Sequence, residues 1–390
     1  MEYFADLHVH IGQACSKPVK VTASRQLTLD GIIRTCMEIK GIDIVGLVDC
    51  ASPYVLREIK NKIDSGELIE LSKGGLSYRG NLTLILGSEV ETQERGGVAH
   101  SVAYFPSIAQ MEGFSNIMSK FINNIGLSSQ KARLSARELL SIVKDLGGKL
   151  VPAHVFTPFK SFYGSCYERM SEAFEERFNE VTAVELGLSA DTQLADRIKE
   201  LSGKQFVSNS DAHSLNKIGR EYNIVRLDAP DFENLFEALE GKSNRRRILA
   251  NYGLDPRLGK YHRTCCLSCN YIAEEPPPVS KCPRCSSEKV VMGVLDRITF
   301  IADYDEAVHP RGRPPYYHQV PLEFIPGVGK KTLERLLKAF GNEMNIIHHS
   351  DPEELRKVVG EAVTEKVLAA REGKLKLKVG GGGVYGKIVL

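Results

Sequence analysis

The chain has 390 residues, enough for two or three domains that each bury a core of their own. Hydrophobic residues make up 42% and charged residues 26%, which excludes a largely disordered chain. The net charge of only +2 gives no overall electrostatic field that favours nucleic acid. The N-terminus lacks a signal sequence, and no apolar run is long enough to span a bilayer. We therefore expect a cytoplasmic protein with no membrane partner.

The stretch ADLHVHIG, residues 5–12, is predicted to end the first strand. Side chains alternate between the two faces of a strand, so Asp6, His8 and His10 share one face and the apolar residues share the other. Structural histidines hydrogen-bonded beside a sheet edge would explain one such residue. Three polar residues in register favour a metal site instead.

The first 240 residues alternate between apolar runs and helical patterns. Runs at 42–48, 82–86, 149–152, 181–186 and 205–207 are typical of short buried parallel strands. Helices are predicted at 29–41, after Ser52-Pro53, and from Ser135, where Glu138 completes a capping box and Gly147 can end the helix. This alternation predicts an α/β fold, either a barrel or an open doubly wound sheet.

Residues of the types that bind metals recur at or just after these strands. They are His8 and His10, Asp49, Glu89 and Glu91, His100, His154, and the pair Asp211 and His213. Because the carboxyl ends of parallel strands converge on one rim, we expect these side chains to meet in one site. The mixture of histidine and carboxylate donors favours zinc, manganese or iron over a magnesium site built of carboxylates alone.

This pattern resembles the polymerase and histidinol phosphatase (PHP) superfamily over roughly residues 1–225. The resemblance implies a distorted (β/α)7 barrel holding two or three catalytic divalent ions, with zinc, manganese and magnesium all open. The implied metal ligands are His8, His10, Glu89, His100, His154 and Asp211, with Glu89 bridging, and Asp49 and His213 as ligands or as groups that orient them. Catalytic roles are implied for His8, His10, Glu89 and Asp211.

The chain departs from the superfamily at one motif. Where the superfamily commonly has Asp-His, this chain has Asp49-Cys50, and Cys15 stands near the usual position of a further histidine. A third metal site is therefore either absent or bound by thiolates.

The pattern changes after residue 240. Residues 242–263 contain seven lysines or arginines, and Asp255 is the only acidic residue among them. These basic residues either contact phosphates or form a solvated surface. Two CxxC pairs follow, and their spacing predicts one structural zinc ion bound by Cys266, Cys269, Cys282 and Cys285. Cys265 is a spare that could replace Cys266. A redox role would need a thioredoxin-like context, which is absent.

The stretch IPGVGKKT, residues 325–332, resembles a helix-hairpin-helix motif. Gly327 and Gly329 would let the backbone approach a DNA phosphate, and Lys330 and Lys331 would add positive charge. The alternative is an ordinary glycine-rich turn between helices. A weaker second hairpin at Gly360 is predicted to be structural, and the tail is predicted to be a flexible segment able to pack back.

The order of these parts resembles the endonuclease Q family over essentially the whole chain. We divide the chain into a catalytic PHP barrel (1–240), a basic connector with the zinc module (241–300) and a helix-hairpin-helix region with a glycine-rich tail (301–390). The resemblance implies a DNA repair endonuclease that nicks 5′ of uracil, hypoxanthine, xanthine and abasic sites. Its implied partner is damaged double-stranded DNA, with single-stranded DNA left open.

An extruded base would need a pocket, for which Phe159, Phe162 and Tyr163 are candidates, although packing beneath the barrel rim would also explain each of them. Two other functions stay open. One is hydrolysis of a small phosphomonoester, which has no use for the appended parts. The other is a DNA-binding accessory role with a barrel that has lost its chemistry, which the nearly complete ligand set argues against.

Overall fold

The structure is a computed structural model that describes residues 1–389. Its strands are β1 (Glu2–Val9), β2 (Gln13–Ala14), β3 (Lys17–Pro18), β4 (Ile44–Leu47), β5 (Leu68–Glu70), β6 (Leu76–Tyr78), β7 (Leu82–Glu94), β8 (Gly97–Phe105), β9 (Lys149–Pro152), β10 (Val184–Glu185), β11 (Phe206–Val207), β12 (Tyr222–Arg226), β13 (Arg247–Gly253), β14 (Cys265–Cys266), β15 (Val290–Val291), β16 (Tyr316–His318), β17 (Lys376–Lys378) and β18 (Lys387–Val389).

The helices lie mostly between these strands. They are α1 (Leu29–Arg34), α2 (Pro53–Asp64), α3 (Ile108–Met118), α4 (Ala136–Asp145), α5 (Ser171–Phe174), α6 (Thr192–Ala195), α7 (Phe232–Leu239), α8 (Val294–Ile301), α9 (Lys330–Phe340), α10 (Pro352–Val359) and α11 (Glu361–Arg371). The capping box of Ser135 and Glu138 forms at the start of α4 as predicted. The predicted α/β class is therefore confirmed.

The central sheet has the order β16-β13-β12-β1-β4-β7-β6-β5, and β8 and β9 continue it from β7. Strands β10 and β11 form a separate parallel pair, joined to the rest by a few isolated backbone contacts. Thr182 N donates to Leu150 O at 3.1 Å on one side, and Val9 bridges Ala212 on the other. The strands thus approach a ring without a continuous ladder around it, which fits the predicted distortion of the barrel.

The sequence pattern predicted parallel strands, but the sheet is only partly parallel. Strand β8 runs antiparallel to both β7 and β9. The reason is local, because β7 continues well past residue 86 and turns directly into β8 at Gly96, where φ is +81°. A tight hairpin needs no crossover helix, so Glu89 and Glu91 lie within a long strand and not at the end of a short one.

Strand β1 also departs from the simple alternation. Its pairing with β4 shifts register between Asp6 and Val9, which breaks the common face predicted for Asp6, His8 and His10. The Asp6 carboxylate accepts hydrogen bonds from the backbone N–H groups of Ser210 (3.0 Å) and Gly219 (2.9 Å). Asp6 is therefore a buried structural residue, and the prediction that it joins the histidines is wrong.

The polar site continues an apolar core along the same strand faces. Ile85 and Val102 belong to a fully buried cluster that also contains Leu7 and Tyr104. Ile85 is four residues before Glu89 on β7, and Val102 is two residues after His100 on β8, so each pair shares a face. Close-packed side chains beneath the site fix the positions of the strands that carry its ligands.

The sheet extends beyond the first 240 residues. Strand β13 pairs antiparallel with β12, and β16 pairs parallel with β13. Residues of the predicted connector and of the C-terminal region thus complete the barrel sheet, while the proposed domain division itself stays a prediction. Part of the positive charge of the connector is already neutralised, because Arg246 contacts Asp228 and Glu237.

The C-terminal helices pack against the barrel through a buried ion pair. Lys40 Nζ lies 2.9 Å from Glu343 Oε2, and both side chains are almost fully buried. The tail folds back, with β17 and β18 forming a hairpin and Gly386 N donating to Leu258 O at 2.9 Å. None of the helices within residues 1–389 combines the length and the apolar character that crossing a membrane requires.

Candidate metal centre

The structure brings six of the predicted ligands together in two groups of three. One group contains His8, His10 and Asp211, and the other contains Glu89, His100 and His154. Within the first group, Asp211 Oδ1 lies 3.3 Å from His10 Nε2 and 3.6 Å from His8 Nε2. Donor atoms about 2.1 Å from one tetrahedral ion are about 3.4 Å apart, so these distances suit a shared cation.

Glu89, a member of the second group, also faces the histidines of the first. Its Oε1 lies 2.7 Å from His100 Nδ1 and 3.4 Å from His154 Nε2. The same oxygen is 3.6 Å from His8 Nε2, while Oε2 is 3.7 Å from His10 Nε2. A carboxylate that faces both sets of donors has the geometry of the predicted bridging ligand.

The histidines fit a divalent cation because their free nitrogens are already aimed at it. His8 Nε2 and His10 Nε2 are buried and have no hydrogen-bond partner among the described residues. Their Nδ1 atoms are held from behind, by Glu185 for His8 (3.0 Å) and by Asp49 for His10 (3.0 Å). An unpaired buried nitrogen costs about 1–3 kcal/mol, a penalty that a bound ion removes.

The carboxylates are held in their charged form. Burial by itself raises the pKa of Glu89, but His100 and Lys20 bring it well below its ordinary value. Burial likewise raises the pKa of Asp211, and the neighbouring His10 and His8 lower it well below the usual range. Both groups are therefore ionised at neutral pH, as binding a cation requires.

Backbone geometry at the site is strained at two of the predicted ligands. His154 has φ +32° and Asp211 has φ +46°, a region that residues other than glycine adopt infrequently. Gly187 packs so tightly on His154 that a Cβ atom at this glycine would lie 2.8 Å from the histidine Cβ. The positions of His154 and Asp211 are therefore set by the surrounding fold and not by local backbone preference.

Two predicted residues lie beside the six-residue cluster. Asp49 accepts from His10 Nδ1, from Ile11 N at 2.5 Å and from Ser128 Oγ, which gives it the position of an orienting group. His213 donates from Nδ1 to Asp211 O at 3.0 Å and lines the adjoining cavity. Burial lowers the pKa of His213, so it is neutral at neutral pH. The metal-binding roles of all eight residues remain predictions.

The thiols near the barrel do not join the cluster. Cys50 Sγ donates to Leu47 O at 3.2 Å, and Cys15 Sγ donates to Tyr54 O at 3.5 Å. Burial raises the pKa of Cys50 to about 12, so this group is a neutral thiol. The structure therefore gives no support to a thiolate-bound third ion among the described residues.

Two residues of the centre escaped the sequence analysis. Glu185 ends a strand that was predicted from its apolar run, so the argument from strand ends would have found it. Lys20 follows the short strand β3, and its Nζ lies 2.9 Å from Glu89 Oε2. No pattern around Lys20 signals this position, because only the folding of the loop onto the barrel creates it.

A cavity of about 790 Å³ opens above the ligands. It is lined by the basic residues Lys20, Lys160, Lys217, Arg220 and Lys260 and by the aromatic residues Phe159, Tyr261 and Tyr385. Phe159 is half exposed and makes an edge contact with Tyr261, with ring centroids 5.6 Å apart. Phe162 and Tyr163 are fully buried in the core, so packing explains them and the prediction that they line a pocket is wrong.

The four predicted zinc ligands lie together in the second module. The Sγ atoms of Cys266 and Cys285 are 3.6 Å apart, and those of Cys269 and Cys282 are 3.7 Å apart. All four sulfurs lie within 4.8 Å of one another, as tetrahedral zinc with four thiolates requires. Cys265 lies outside this group, with its Sγ 3.8 Å from Cys266 O.

The glycine-rich turn before α9 is exposed. Gly327 has φ +98°, which explains a glycine at that position. Gly329 has an ordinary φ, and a Cβ atom there would meet nothing within 4 Å, so neither backbone conformation nor internal packing demands a glycine. Lys330 and Lys331 are exposed at the first turn of α9, which has no side-chain cap. Free helix N–H groups beside two lysines suit an anion, and the hairpin assignment stays a prediction.

Known proteins share this architecture over the full chain. The lesion-specific endonuclease PfuEndoQ from Pyrococcus furiosus superposes with a TM-score of 0.85 at 31% identity, covering 100% of this chain and 96% of that one. The chain belongs to the endonuclease Q family. Residues 191–243 also match the family model described as PHP-associated, in agreement with the predicted superfamily.

Other relatives of this endonuclease Q family member extend the comparison. A structure described as an endonuclease Q complex with a 27-mer duplex carrying an abasic lesion at its active site has a TM-score of 0.85 at 31% identity, covering 100% of this chain and 97% of its own. The uncharacterized Bacillus subtilis protein YqxK is 45% identical over 99% of this chain and 98% of its own length. Methanocaldococcus jannaschii MJ0043 is 39% identical over 60% of this chain and 31% of its own length.

The zinc module yields a prediction with an internal control. Replacing Cys285→Ser removes one of the four clustered thiolates, so we expect the protein to lose one zinc ion per chain on dialysis against a mild chelator. Replacing Cys265→Ser removes the neighbouring thiol outside the cluster and should leave the zinc content unchanged. Zinc measured by elemental analysis decides the matter, and equal retention by both variants would contradict the assignment.

Glu185 yields a second prediction. Although burial lowers the pKa of His8, Glu185, Asp211 and Glu89 together raise it to about 10, and the contact with Glu185 makes this imidazole a stronger ligand. We expect Glu185→Gln to weaken catalytic metal binding by about 10–100-fold, measured by competition with a chromophoric chelator. Glu361→Gln, which changes an exposed partner of Arg356, is the control. Unchanged metal affinity in the first variant would show that Glu185 does not support the ligand.

Proposed function

We propose that this protein is a metal-dependent DNA repair endonuclease that cuts the phosphodiester on the 5′ side of deaminated bases and abasic sites. The observation that carries the proposal is the full-length match to a lesion-specific endonuclease, in a chain that places six metal-type ligands beneath a basic and aromatic cavity. The related duplex complex, with an abasic lesion at its active site, supports DNA as the substrate.

The ligand cluster suits hydrolysis of a phosphodiester. Divalent ions, when bound, supply the positive charge and Lewis acidity that this reaction needs. Glu89 and Asp211 remain ionised at neutral pH, while Glu185 and Asp49 fix the ring orientations of His8 and His10. The side chains are thereby held in place before substrate arrives, which lowers the reorganisation that the reaction requires.

The cavity suits a nucleotide extruded from the duplex. Its volume of about 790 Å³ falls in the range typical of ligand pockets. Phe159 and Tyr261 provide aromatic surface for stacking a base, and Lys260 provides charge for phosphates. Because the cavity wall includes Tyr261 and Tyr385, residues beyond the first 240 take part in holding the damaged nucleotide.

The test uses end-labelled duplex DNA with a single deoxyuridine, incubated with protein and either magnesium or manganese beside an undamaged duplex. We expect a nick immediately 5′ to the uracil and none in the control. Duplexes containing hypoxanthine, xanthine or an abasic site extend the test to the other lesions. No cutting of any duplex, with rapid release of phosphate from a small phosphomonoester, would establish a metabolite phosphatase instead.

Asp211 separates catalysis from DNA binding. Replacing Asp211→Ala removes a carboxylate from the first ligand group, so we expect nicking to be abolished while the affinity for lesion duplex measured in EDTA stays within about twofold, because most of that affinity comes from phosphate contacts elsewhere. A variant that still nicks at the normal rate would show that the metal centre has been assigned to the wrong residues.

The exposed turn before α9 should bind the DNA backbone. Changing Lys330→Ala and Lys331→Ala together should weaken binding to all sequences and reduce the slope of log affinity against log salt by about 1 per lysine. Lys60→Ala with Lys73→Ala is the matched control, since both are exposed lysines outside the cavity and outside the basic connector. A salt slope unchanged from the wild type would remove this turn from the DNA interface.

A further inference from the structure

We propose that Lys20 is a catalytic residue whose ammonium group binds a non-bridging oxygen of the scissile phosphate. This inference rests on the proposed function, since it assigns the group that holds the phosphate at the same centre. Lys20 Nζ donates to Glu89 Oε2 at 2.9 Å and to Ser129 Oγ at 2.5 Å. An ammonium group has three N–H donors, so one stays available to a ligand as far as the described residues show.

The position of Lys20 is built into the fold. Val19 N donates to Gly12 O and Lys20 N donates to Ile11 O, both at 3.0 Å, which ties this segment to the residues that follow β1. Ser128 N donates to Val19 O at 3.0 Å from the other side. The Lys20 side chain is only 11% exposed, yet it lines the cavity. A lysine anchored in this way presents a fixed charge to whatever enters.

Lys20 differs from the other cations that line the cavity. Lys160 pairs with Glu91, Lys217 pairs with Glu323, and Arg220 donates to backbone oxygens and to Tyr385. Among the described basic residues of the cavity, only Lys20 contacts the side chain of a proposed metal ligand. Its charge is therefore next to the atoms where the reaction takes place.

A purely structural role does not explain why the positive charge of Lys20 lies at this centre once divalent ions are bound. Bound divalent ions would neutralise Glu89 and Asp211 by themselves, so Lys20 is not needed to offset these carboxylates. Phosphodiester hydrolysis increases the negative charge on the non-bridging phosphate oxygens, and a preorganised cation at that place stabilises the transition state. Lys20 meets this requirement because it is adjacent to the ligands and open to the cavity.

The experiment compares Lys20→Met, which removes the charge at similar length, with Lys20→Arg, which keeps it. The control is Lys60→Met, which changes an exposed lysine of α2 that pairs with Glu112. The first readout is the metal content of each protein. The second is the affinity of the metal-loaded protein for inorganic phosphate, measured by calorimetry without DNA. The third is the single-turnover rate on deoxyuridine duplex.

We expect Lys20→Met to retain its metal ions, to bind phosphate about tenfold or more weakly, and to cut about 10²–10³-fold more slowly. Lys20→Arg should recover part of the phosphate affinity, and Lys60→Met should match the wild type. Loss of metal ions from Lys20→Met would overturn the proposal in favour of a structural role. Phosphate affinity equal to that of the wild type would overturn it as well.

The two proposals fail in different ways. If wild-type protein cuts no lesion duplex, the proposed function is wrong, but a weaker phosphate affinity in Lys20→Met would still place this lysine at the phosphate. If the wild type cuts lesion DNA and Lys20→Met retains normal phosphate affinity, the function stands and the role of Lys20 is refuted.

Discussion

The position of one buried carboxylate governs the rest of this molecule. Glu89 has donors on both of its oxygens, with His100 and His154 at Oε1 and Lys20 at Oε2. An ionised carboxylate away from water is costly unless cations and hydrogen bonds compensate it. The strands and the two histidine-bearing segments must all converge on this group, because a displaced segment would leave the buried charge poorly compensated.

Two irregularities of the sheet make that convergence possible. The register shift in β1 separates Asp6 from His8, so that Asp6 supports the loop around Ser210 while the histidines enter the centre. The hairpin at Gly96 brings His100 directly opposite Glu91 on the neighbouring strand. A regular parallel barrel would place neither His8 nor His100 in this way. Irregular pairing next to a functional site commonly redirects side chains, and it does so here.

The appended parts belong to the same working unit as the barrel. Strands β13 and β16 extend the central sheet, and Tyr261 and Tyr385 reach the cavity above the metal ligands. The buried pair of Lys40 and Glu343 opposes other orientations of the C-terminal helices, because separating the two would leave an uncompensated buried charge. The exposed turn of α9 is thus held in a fixed relation to the candidate metal centre.

The sequence by itself determined much of the chemistry. Residue types at or near the predicted strands indicated a cluster that includes His8, His10, Glu89, His100, His154 and Asp211, although Glu89 and His100 lie within the antiparallel strands β7 and β8 and not at parallel strand ends. The spacing of the cysteines was enough to predict the thiolate cluster, since a CxxC pair presents two sulfurs to one ion within a single turn. These features are local, and a local pattern is visible in a linear sequence.

Only the tertiary structure decided which neighbouring residues share that chemistry. Lys20 and Glu185 reach the centre through contacts between segments far apart in the chain. Folding of one short loop buries Phe162 and Tyr163 and leaves Phe159 half exposed. The register of β1, which excludes Asp6, depends on its pairing with β4. Residue type and spacing carry no information about such contacts, because packing between distant segments sets them.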